Sequence, residues 1–355
     1  MLTRGEFLLS LVATALESGR IWAEAPAAGP PPAAKPELPT DGAGDFAREL
    51  AALRARRPVP VSDRLRRFSA RYASFARSRW DVGSPAYGPR GSFPEEPLPT
   101  GSAVRRGADA GSIELVHRGQ GTRQGRADWP AVTRQLKQAA QSFGAALVGV
   151  TRVDPLWLYA VDRAGGPVQL PGGLTTAVVL ALEADDEADA PPSTRAAAAS
   201  RPAYVRMAAA AVATGRFLTD LGWRAQPSVN DTALSIALAV DAGLGELGRN
   251  GLLITRQFGP RVRLCKVFTD ARLVPDAAVT FGVRKFCALC AKCAEDCPSG
   301  AISRGEPAWE GPSRLSNPGA LKWYVNGEKC LAFRRANGNS CDTCVRSCLL
   351  NNPAG

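Results

Sequence analysis

The spacing of apolar side chains predicts a series of helices and strands between residues 43 and 280. A period near 3.6 predicts one helix with Phe46, Leu50 and Leu53 on its inner face, and a second beginning behind Ser62. Further helices are predicted over 128–143, 193–221 and 232–241, the middle one interrupted at Pro202. Short apolar runs predict buried strands over 146–151, 175–182, 252–255 and 261–269. Such alternation favours an α/β or α+β core.

The first third of the chain has a different character. Residues 1–28 resemble a degenerate twin-arginine export signal, in which Gly5 stands in place of the second arginine, although a plain amphipathic helix fits as well. An Ala/Pro linker follows over 29–42, and residues 43–126 form a helical and loop-rich N-terminal region. We expect the core to occupy 127–280 and a separate cysteine-rich module to occupy 281–355.

Composition excludes several classes of protein. With 355 residues, 45% of them hydrophobic, the chain can bury a sizeable core of roughly two domains. A single histidine, His117, excludes most histidine-built metal sites. The net charge of +11 would suit a phosphate-rich partner. However, the basic residues are scattered and no nucleic-acid reader motif accompanies them, so we do not expect a nucleic-acid partner.

A glycine motif in the core invites a misleading interpretation. Residues 243–248 (GLGELG) satisfy the G-x-G-x-x-G pattern of dinucleotide-binding proteins. That fingerprint requires a strand before the glycines and a helix after them. Here a predicted helix precedes the glycines and a predicted strand follows them, so the sequence argues against a nucleotide site.

The cysteines carry the clearest chemical signal. Eight of the nine lie after Cys265, which we interpret as a small buried residue. The spacing C-x2-C-x2-C-x3-C-P, ending at Pro298, is that of bacterial ferredoxins, whose fourth cysteine binds the other cluster. Crossed ligation then predicts two [4Fe–4S] clusters, whereas a pair of zinc sites is the alternative. One predicted ligand set is Cys287, Cys290, Cys293 and Cys348, and the other is Cys297, Cys330, Cys341 and Cys344.

Further motifs lie between Phe143 and Cys348. They are FGAALVG at 143–149 with Asp154-Pro155 after it, NDTALS at 230–235, AGLGELGRNGLL at 242–253, GPRVR at 259–263, VFTD at 267–270 and FGV at 281–283. Together with the cysteines, these motifs resemble the corrinoid-dependent reductive dehalogenases, which are related to epoxyqueuosine reductase. The resemblance covers somewhat over half of the chain.

The resemblance implies a fold and a set of cofactors. It implies an α+β protein with a nitroreductase-like cobalamin-binding α/β core, followed by a ferredoxin-like module with two [4Fe–4S] clusters, here possessing a short C-terminus. A base-off corrinoid would need no histidine ligand. The implied partners are a small organohalide, an electron-donor protein or quinol-linked chain, and a small membrane anchor protein. The implied location is the outer face of the cytoplasmic membrane or the periplasm, with the cytoplasm as the alternative.

The resemblance also implies a catalytic set. The family's tyrosine matches Tyr204, and its accompanying asparagine and arginine match Asn230 and Arg263. A phenol that donates a proton leaves a phenolate, which a guanidinium stabilises without losing its own charge. Each residue also has a purely structural interpretation. Tyr204 would be a core tyrosine, Asn230 a helix N-cap and Arg263 a surface residue of a strand.

Three functions therefore compete. The first is reductive dehalogenation by a Co(I) corrinoid supplied with electrons through two clusters. A second is tRNA modification of the epoxyqueuosine reductase type, which the positive charge favours slightly. The third is an electron-transfer protein with two clusters and no corrinoid, which predicts about eight irons per chain and no cobalt.

Overall fold

A computed structural model describes residues 40–70, 128–162, 166–184, 192–312, 316–336 and 341–351. The predicted leader at 1–28, most of the linker and His117 lie outside these residues. The helices are α1 (Thr40–Ala55), α2 (Trp129–Ser142), α3 (Pro192–Asp220), α4 (Ser235–Asp241), α5 (Val283–Leu289), α6 (Lys292–Glu295), α7 (Gly327–Ala336) and α8 (Thr343–Arg346). The strands are β1 (Leu147–Arg152), β2 (Thr176–Glu183), β3 (Ala225–Ser228), β4 (Glu246–Leu247), β5 (Leu253–Ile254) and β6 (Val262–Thr269).

The core is built on one antiparallel sheet. Its strand order is β1-β2-β6-β3, and every neighbouring pair is antiparallel, with Val178 of β2 opposite Val267 of β6. Strands β4 and β5 form a separate small hairpin. Helices that pack on an antiparallel sheet define an α+β fold, so this part of the predicted fold class is confirmed.

Each face of the sheet carries its own hydrophobic layer. Side chains of a strand alternate between faces, so Val178 and Leu180 point to one side and Ala177 and Val179 to the other. The first side packs against α2 and α3, and the second packs against α4 and Trp157. Strand β2 is buried on both faces, because it lies inside the sheet and between two helical layers.

A buried ion-pair network ties the N-terminal segment to this core. The Arg57 guanidinium contacts Asp154 at 2.7 Å and Asp241 at 2.8 Å, and all three side chains are almost fully buried. Arg54 pairs with Asp154 at 2.7 Å, and the Trp157 indole donates to Asp241 at 2.6 Å. Burial acts to raise the pKa of Asp154, but hydrogen bonds from the two arginines and Leu156 N–H outweigh it and lower the pKa. The network therefore fixes α1 beside α4 and the end of β1.

The helix predicted behind Ser62 is wrong over residues 62–70. Val61 forms a β-bridge with Ala320, and Ser62 N–H donates to Gly319 C=O at 2.8 Å. Phe68 C=O accepts from Ala160 N–H at 2.8 Å. The backbone groups of this segment therefore bond to distant parts of the chain, and they are not available to an i→i−4 ladder. The predicted continuation through Tyr72 and Phe75 lies outside the described residues.

Three other local predictions differ from the structure. Helix α3 continues through Pro202 without the predicted break. Helix α4 begins at Ser235, three residues late, because Thr232 has a φ of 66° and its carbonyl accepts from Tyr159 N–H. Strand β3 was not predicted, since it is short and contains Pro227, which an edge strand tolerates. The remaining predicted helices and strands are confirmed with shifts of one or two residues at their ends.

Candidate functional site

The structure brings Tyr204, Asn230 and Arg263 together. Asn230 Nδ2 donates to the Tyr204 hydroxyl at 3.1 Å. The Arg263 guanidinium carbon lies 5.7 Å from the centre of the Tyr204 ring, within cation–π range. The structural interpretations of two of them do not fit, because Tyr204 is 42% exposed and Leu234, not Asn230, precedes α4 as its N-cap.

Strand register explains how residues so far apart in sequence meet. Ser228 at the end of β3 lies opposite Lys266 in β6, so the loop after β3 runs towards the start of β6, where Arg263 lies. Arg263 shares its side of the sheet with Cys265 and Val267, which face the layer that contains α3. Tyr204 of α3 thereby contacts both Arg263 and Asn230.

The loop that carries Asn230 is held on both sides of that residue. Asp231 Oδ1 accepts from Val229 N–H at 3.0 Å and lies 2.8 Å from Ser228 Oγ. The fully buried Lys266 donates to Val229 C=O at 2.9 Å and contacts Ser235 Oγ at 3.0 Å. Thr232 has a φ of 66°, which is strained for a β-branched residue. Asn230 is therefore presented by a fixed backbone.

Arg263 is suited to act on Tyr204. Its Nε is buried and makes no hydrogen bond to the described residues, so its position is not explained by a structural bond. A positive charge beside the ring stabilises a phenolate, and the Asn230 amide orients the hydroxyl that would lose the proton. The three groups form a cluster in which the Tyr204 side chain is open to solvent.

The cysteines after residue 281 form two quartets. We call Cys287, Cys290, Cys293 and Cys348 the first quartet. Burial and the three other thiols of this quartet raise the pKa of Cys293 to about 11, which requires them to lie close by. Cys287 and Cys348 also share one small hydrophobic cluster with Val283. Residues that are distant in sequence thus gather as the crossed ligation pattern predicts.

The second quartet is Cys297, Cys330, Cys341 and Cys344. Burial, followed by Cys330 and Cys341, raises the pKa of Cys344 to about 12, and Cys293 and Cys297 add to it. The influence of Cys293 on Cys344 places the quartets side by side. Burial opposes the ionisation of Cys297, but bonds from Ser299 and nearby backbone N–H groups outweigh it and lower its pKa.

The donor set fits the two predicted clusters. Each quartet offers four thiols, the number that a [4Fe–4S] cluster binds, and the two quartets lie side by side. Among the described residues, no group of three or more Cys, His, Asp or Glu side chains forms a site for a single metal ion. The hydrogen bond from Ala301 N–H to Cys297 Sγ, at 3.4 Å, is also suited to a thiolate ligand.

The cysteine module contacts the core near the catalytic candidates. Gly259, just before β6, lies so close to Leu350 C=O that a Cβ there would be 2.1 Å from that oxygen. Arg261 donates to Asn351 Oδ1 at 2.9 Å. The segment after Cys348 therefore packs on the turn that leads directly into Arg263.

The sequence did not identify Lys266, Glu246 or Arg249 as parts of this arrangement. Glu246 lies within the GLGELG motif, and Arg249 follows the motif directly. The β4–β5 hairpin follows α4, the order that was predicted to exclude a nucleotide site. Its glycines permit close approach, since a Cβ on Gly245 would be 2.2 Å from Ile254 C=O. A basic residue inside an apolar strand, as in LCKVF at 264–268, is the signal that could have revealed Lys266.

Comparisons with known proteins agree with the resemblance seen in the motifs. The chain is 37% identical over 260 residues to a tetrachloroethene reductive dehalogenase of Desulfitobacterium hafniense, covering 61% of this chain and 47% of that relative. The same enzyme of Sulfurospirillum multivorans is 36% identical over 249 residues, covering 61% and 50%. Epoxyqueuosine reductase of Bacillus subtilis (strain 168) is 30% identical over 130 residues, covering 32% and 28%. No family model matches the chain.

Solved structures show the same fold. A reductive dehalogenase structure said to suggest a mechanism for B12-dependent dehalogenation superposes with a TM-score of 0.68 at 22% identity, covering 93% of this chain and 51% of that one. A catabolic reductive dehalogenase in complex with 3-bromo-4-hydroxybenzoic acid gives 0.66 at 23% identity, covering 86% and 47%. The resemblance to reductive dehalogenases is confirmed, and the chain spans about half the length of the curated relatives it matches. Among the described helices, none has both the length and the apolar character needed to cross a bilayer.

Proposed function

We propose that this chain takes part in reductive dehalogenation of a small organohalide by a corrinoid that receives electrons through two [4Fe–4S] clusters. The observation that carries the proposal is the convergence of Tyr204, Asn230 and Arg263 in a core bonded to two cysteine quartets. A proton-donating site beside a one-electron relay is what a reduction with protonation requires. The relatives' names support this class of reaction.

The reaction balances with one proton and two electrons. A carbon–halogen bond breaks, a carbon–hydrogen bond forms, and the halide leaves with its electron pair. An external reductant supplies the two electrons, one at a time, through the clusters. The proton comes from the Tyr204 hydroxyl and is replaced from solvent, to which this side chain is open.

Each of the three residues has a distinct task. Tyr204 donates the proton to the carbon that loses its halogen. Arg263 stabilises the resulting phenolate by its charge, and it stays charged throughout. Asn230, fixed by its loop, orients the Tyr204 hydroxyl towards the substrate.

The corrinoid fits the open side of this site. Tyr204 keeps 42% of its surface exposed although Asn230 and Arg263 contact it, so its ring can face a bound group. A reduced corrinoid would supply electrons to the carbon–halogen bond. We assign it no protein ligand, because the base-off form needs none.

Substitution of Tyr204 tests the proposal. Protein reconstituted anaerobically with iron, sulfide and cobalamin would be given a viologen reductant and either tetrachloroethene or 3-bromo-4-hydroxybenzoate, and halide release would be measured. Tyr204→Phe should keep the irons and lower halide release by about 10²–10⁴-fold, the usual contribution of a general acid. Tyr159→Phe, which keeps its ring contact with Phe68, is the matched control. Equal halide release by the two variants would refute the role of Tyr204.

An epoxyqueuosine reductase-like activity is the second candidate. The 30% identity to that enzyme over 130 residues and the charge of +11 favour it. Such an activity predicts tRNA binding that weakens steeply as salt concentration rises. If tRNA binding depends steeply on salt concentration and no halide is released, the epoxyqueuosine reductase-like activity becomes the favoured function.

A further inference from the structure

The segment 246–250, which begins within the GLGELG motif, holds three buried polar side chains. Glu246 is 2% exposed, Arg249 is 3% exposed and Asn250 is 6% exposed. All three bond to the backbone of the cysteine module and not to the core sheet. Glu246 accepts from Val283 N–H at 3.2 Å, and Asn250 donates to Cys344 C=O at 3.2 Å.

Arg249 makes the most extensive contacts of the three. Its guanidinium donates to the carbonyl of Cys287 at 2.7 and 3.0 Å, and to that of Cys290 at 3.1 Å. It also donates to Ser303 C=O at 2.9 Å and to Gly305 C=O at 3.0 Å. The rigid fork of a guanidinium allows one side chain to bridge two separate loops of the module.

The charge of Arg249 is buried without a carboxylate partner among the described residues. Its guanidinium carbon lies 4.6 Å from the centre of the Trp323 ring, and its bonds go to neutral carbonyls. A buried charge usually requires an ionic partner. A cluster held by thiolates at Cys287 and Cys290 would place negative charge directly beside it.

We propose that Arg249 is a positioning residue for the first quartet and sets the reduction potential of the cluster bound there. The inference depends on the two-cluster part of the proposed function, but it does not depend on dehalogenation. The guanidinium holds the Cys287–Cys290 turn in ligating geometry. Its uncompensated charge favours the reduced cluster, which carries one more negative charge than the oxidised cluster.

Glu246 provides a test with the opposite sign. Its carboxylate accepts from Val283 N–H at 3.2 Å, one turn before Cys287 in the same helix, α5. Arg249 donates to the carbonyl of Cys287 itself at 2.7 Å, so charges of opposite sign lie beside the same ligand turn. Removing the negative charge of Glu246 should therefore move the potential of the same cluster upward, while removing the positive charge of Arg249 should move it downward.

The experiment measures the midpoint potentials of both clusters by electron paramagnetic resonance during a redox titration, without corrinoid or organohalide. Arg249→Gln should make the potential of one cluster more negative, and Glu246→Gln should make the potential of that cluster more positive. The cluster is identified as the one lost in Cys290→Ala. Arg284→Gln is the matched control, because Arg284 also lies near Trp323 but bonds to Leu321 C=O and to no cysteine carbonyl.

Arg249→Lys distinguishes the positioning of the Cys287–Cys290 turn from the effect of the positive charge. It also replaces Arg249→Gln as the test if that variant does not fold. A lysine keeps the charge but cannot bridge four carbonyls. It should leave the potential close to that of wild type and release about four of eight irons to a chelator faster. Wild-type potentials in Arg249→Gln and Glu246→Gln, or a wild-type release rate in Arg249→Lys, would overturn the inference. If wild-type protein has no cubane signal, the proposed function fails as well.

Discussion

The antiparallel core and the cysteine module bring their candidate functional residues together in different ways. In the core, Tyr204, Asn230 and Arg263 come from a helix, a loop and a strand, and strand register brings them together. In the module, predicted ligands such as Cys287 and Cys290 lie within one turn of chain. A cluster imposes local spacing on its ligands, whereas a catalytic group requires a rigid scaffold.

The two regions also differ in what stabilises them. Strand β2 is buried on both faces and bonded to strands on both sides, so the core has extensive packing of its own. In the described part of the module, the helices are short and the hydrophobic clusters include the cysteines themselves. We therefore expect cysteine substitutions to change metal content, and substitutions at the core site to change chemistry alone.

Loss of a cluster ligand should give the largest effect. Cys344→Ala removes a thiolate from the centre of the second quartet. The variant should lose about four of eight irons and all halide release, since the relay would be interrupted. Iron and sulfide analysis of reconstituted protein checks the result. An unchanged iron content would contradict the ligand assignment.

A smaller effect is expected from Lys266→Met in the core. The variant removes the donor that holds Val229 C=O, next to Asn230, without changing the length of the side chain much. Halide release should fall by about tenfold, equivalent to roughly 1.4 kcal/mol, while iron content stays the same. Lys137→Met, in which α2 loses a partly exposed ion pair between Lys137 and Asp276, is the control. Loss of iron in Lys266→Met would contradict the expectation that substitutions in the core leave the metal content of the cysteine module unchanged.

Substitution of Cys265, the ninth cysteine, should give the smallest effect. Burial raises the pKa of Cys265 to about 12, so the thiol stays protonated and acts as a small apolar side chain in β6. Cys265→Ala should cost about 1 kcal/mol of stability through a small cavity, and it should keep all of the iron. Thermal unfolding and iron analysis measure both quantities. A lower iron content would make Cys265 a ligand.

The difference between the regions also explains what could be predicted from the sequence. The grouping of the cysteines into two quartets was predicted from the ferredoxin-like spacing, and their role as cluster ligands stays a prediction. The helices α2 and α3 and the inner strands followed from apolar periodicity. Residues 62–70 were predicted as a helix because Leu65 and Phe68 have helical spacing, yet their backbone partners lie far away in the chain. Tyr204 and Arg263 were found through a resemblance to known motifs, and Arg249 was missed, because its contacts exist only after folding.

The metal content of the reconstituted protein distinguishes an enzyme with clusters and a corrinoid from an electron relay. Full-length protein reconstituted anaerobically with iron, sulfide and cobalamin would be freed of unbound reagents and analysed for iron, sulfide, zinc and cobalt. We expect about eight irons, about eight sulfides and one retained cobalt per chain. Eight irons without cobalt would indicate an electron relay and would remove the catalytic role from Tyr204. Two zinc ions in place of iron would contradict the account altogether.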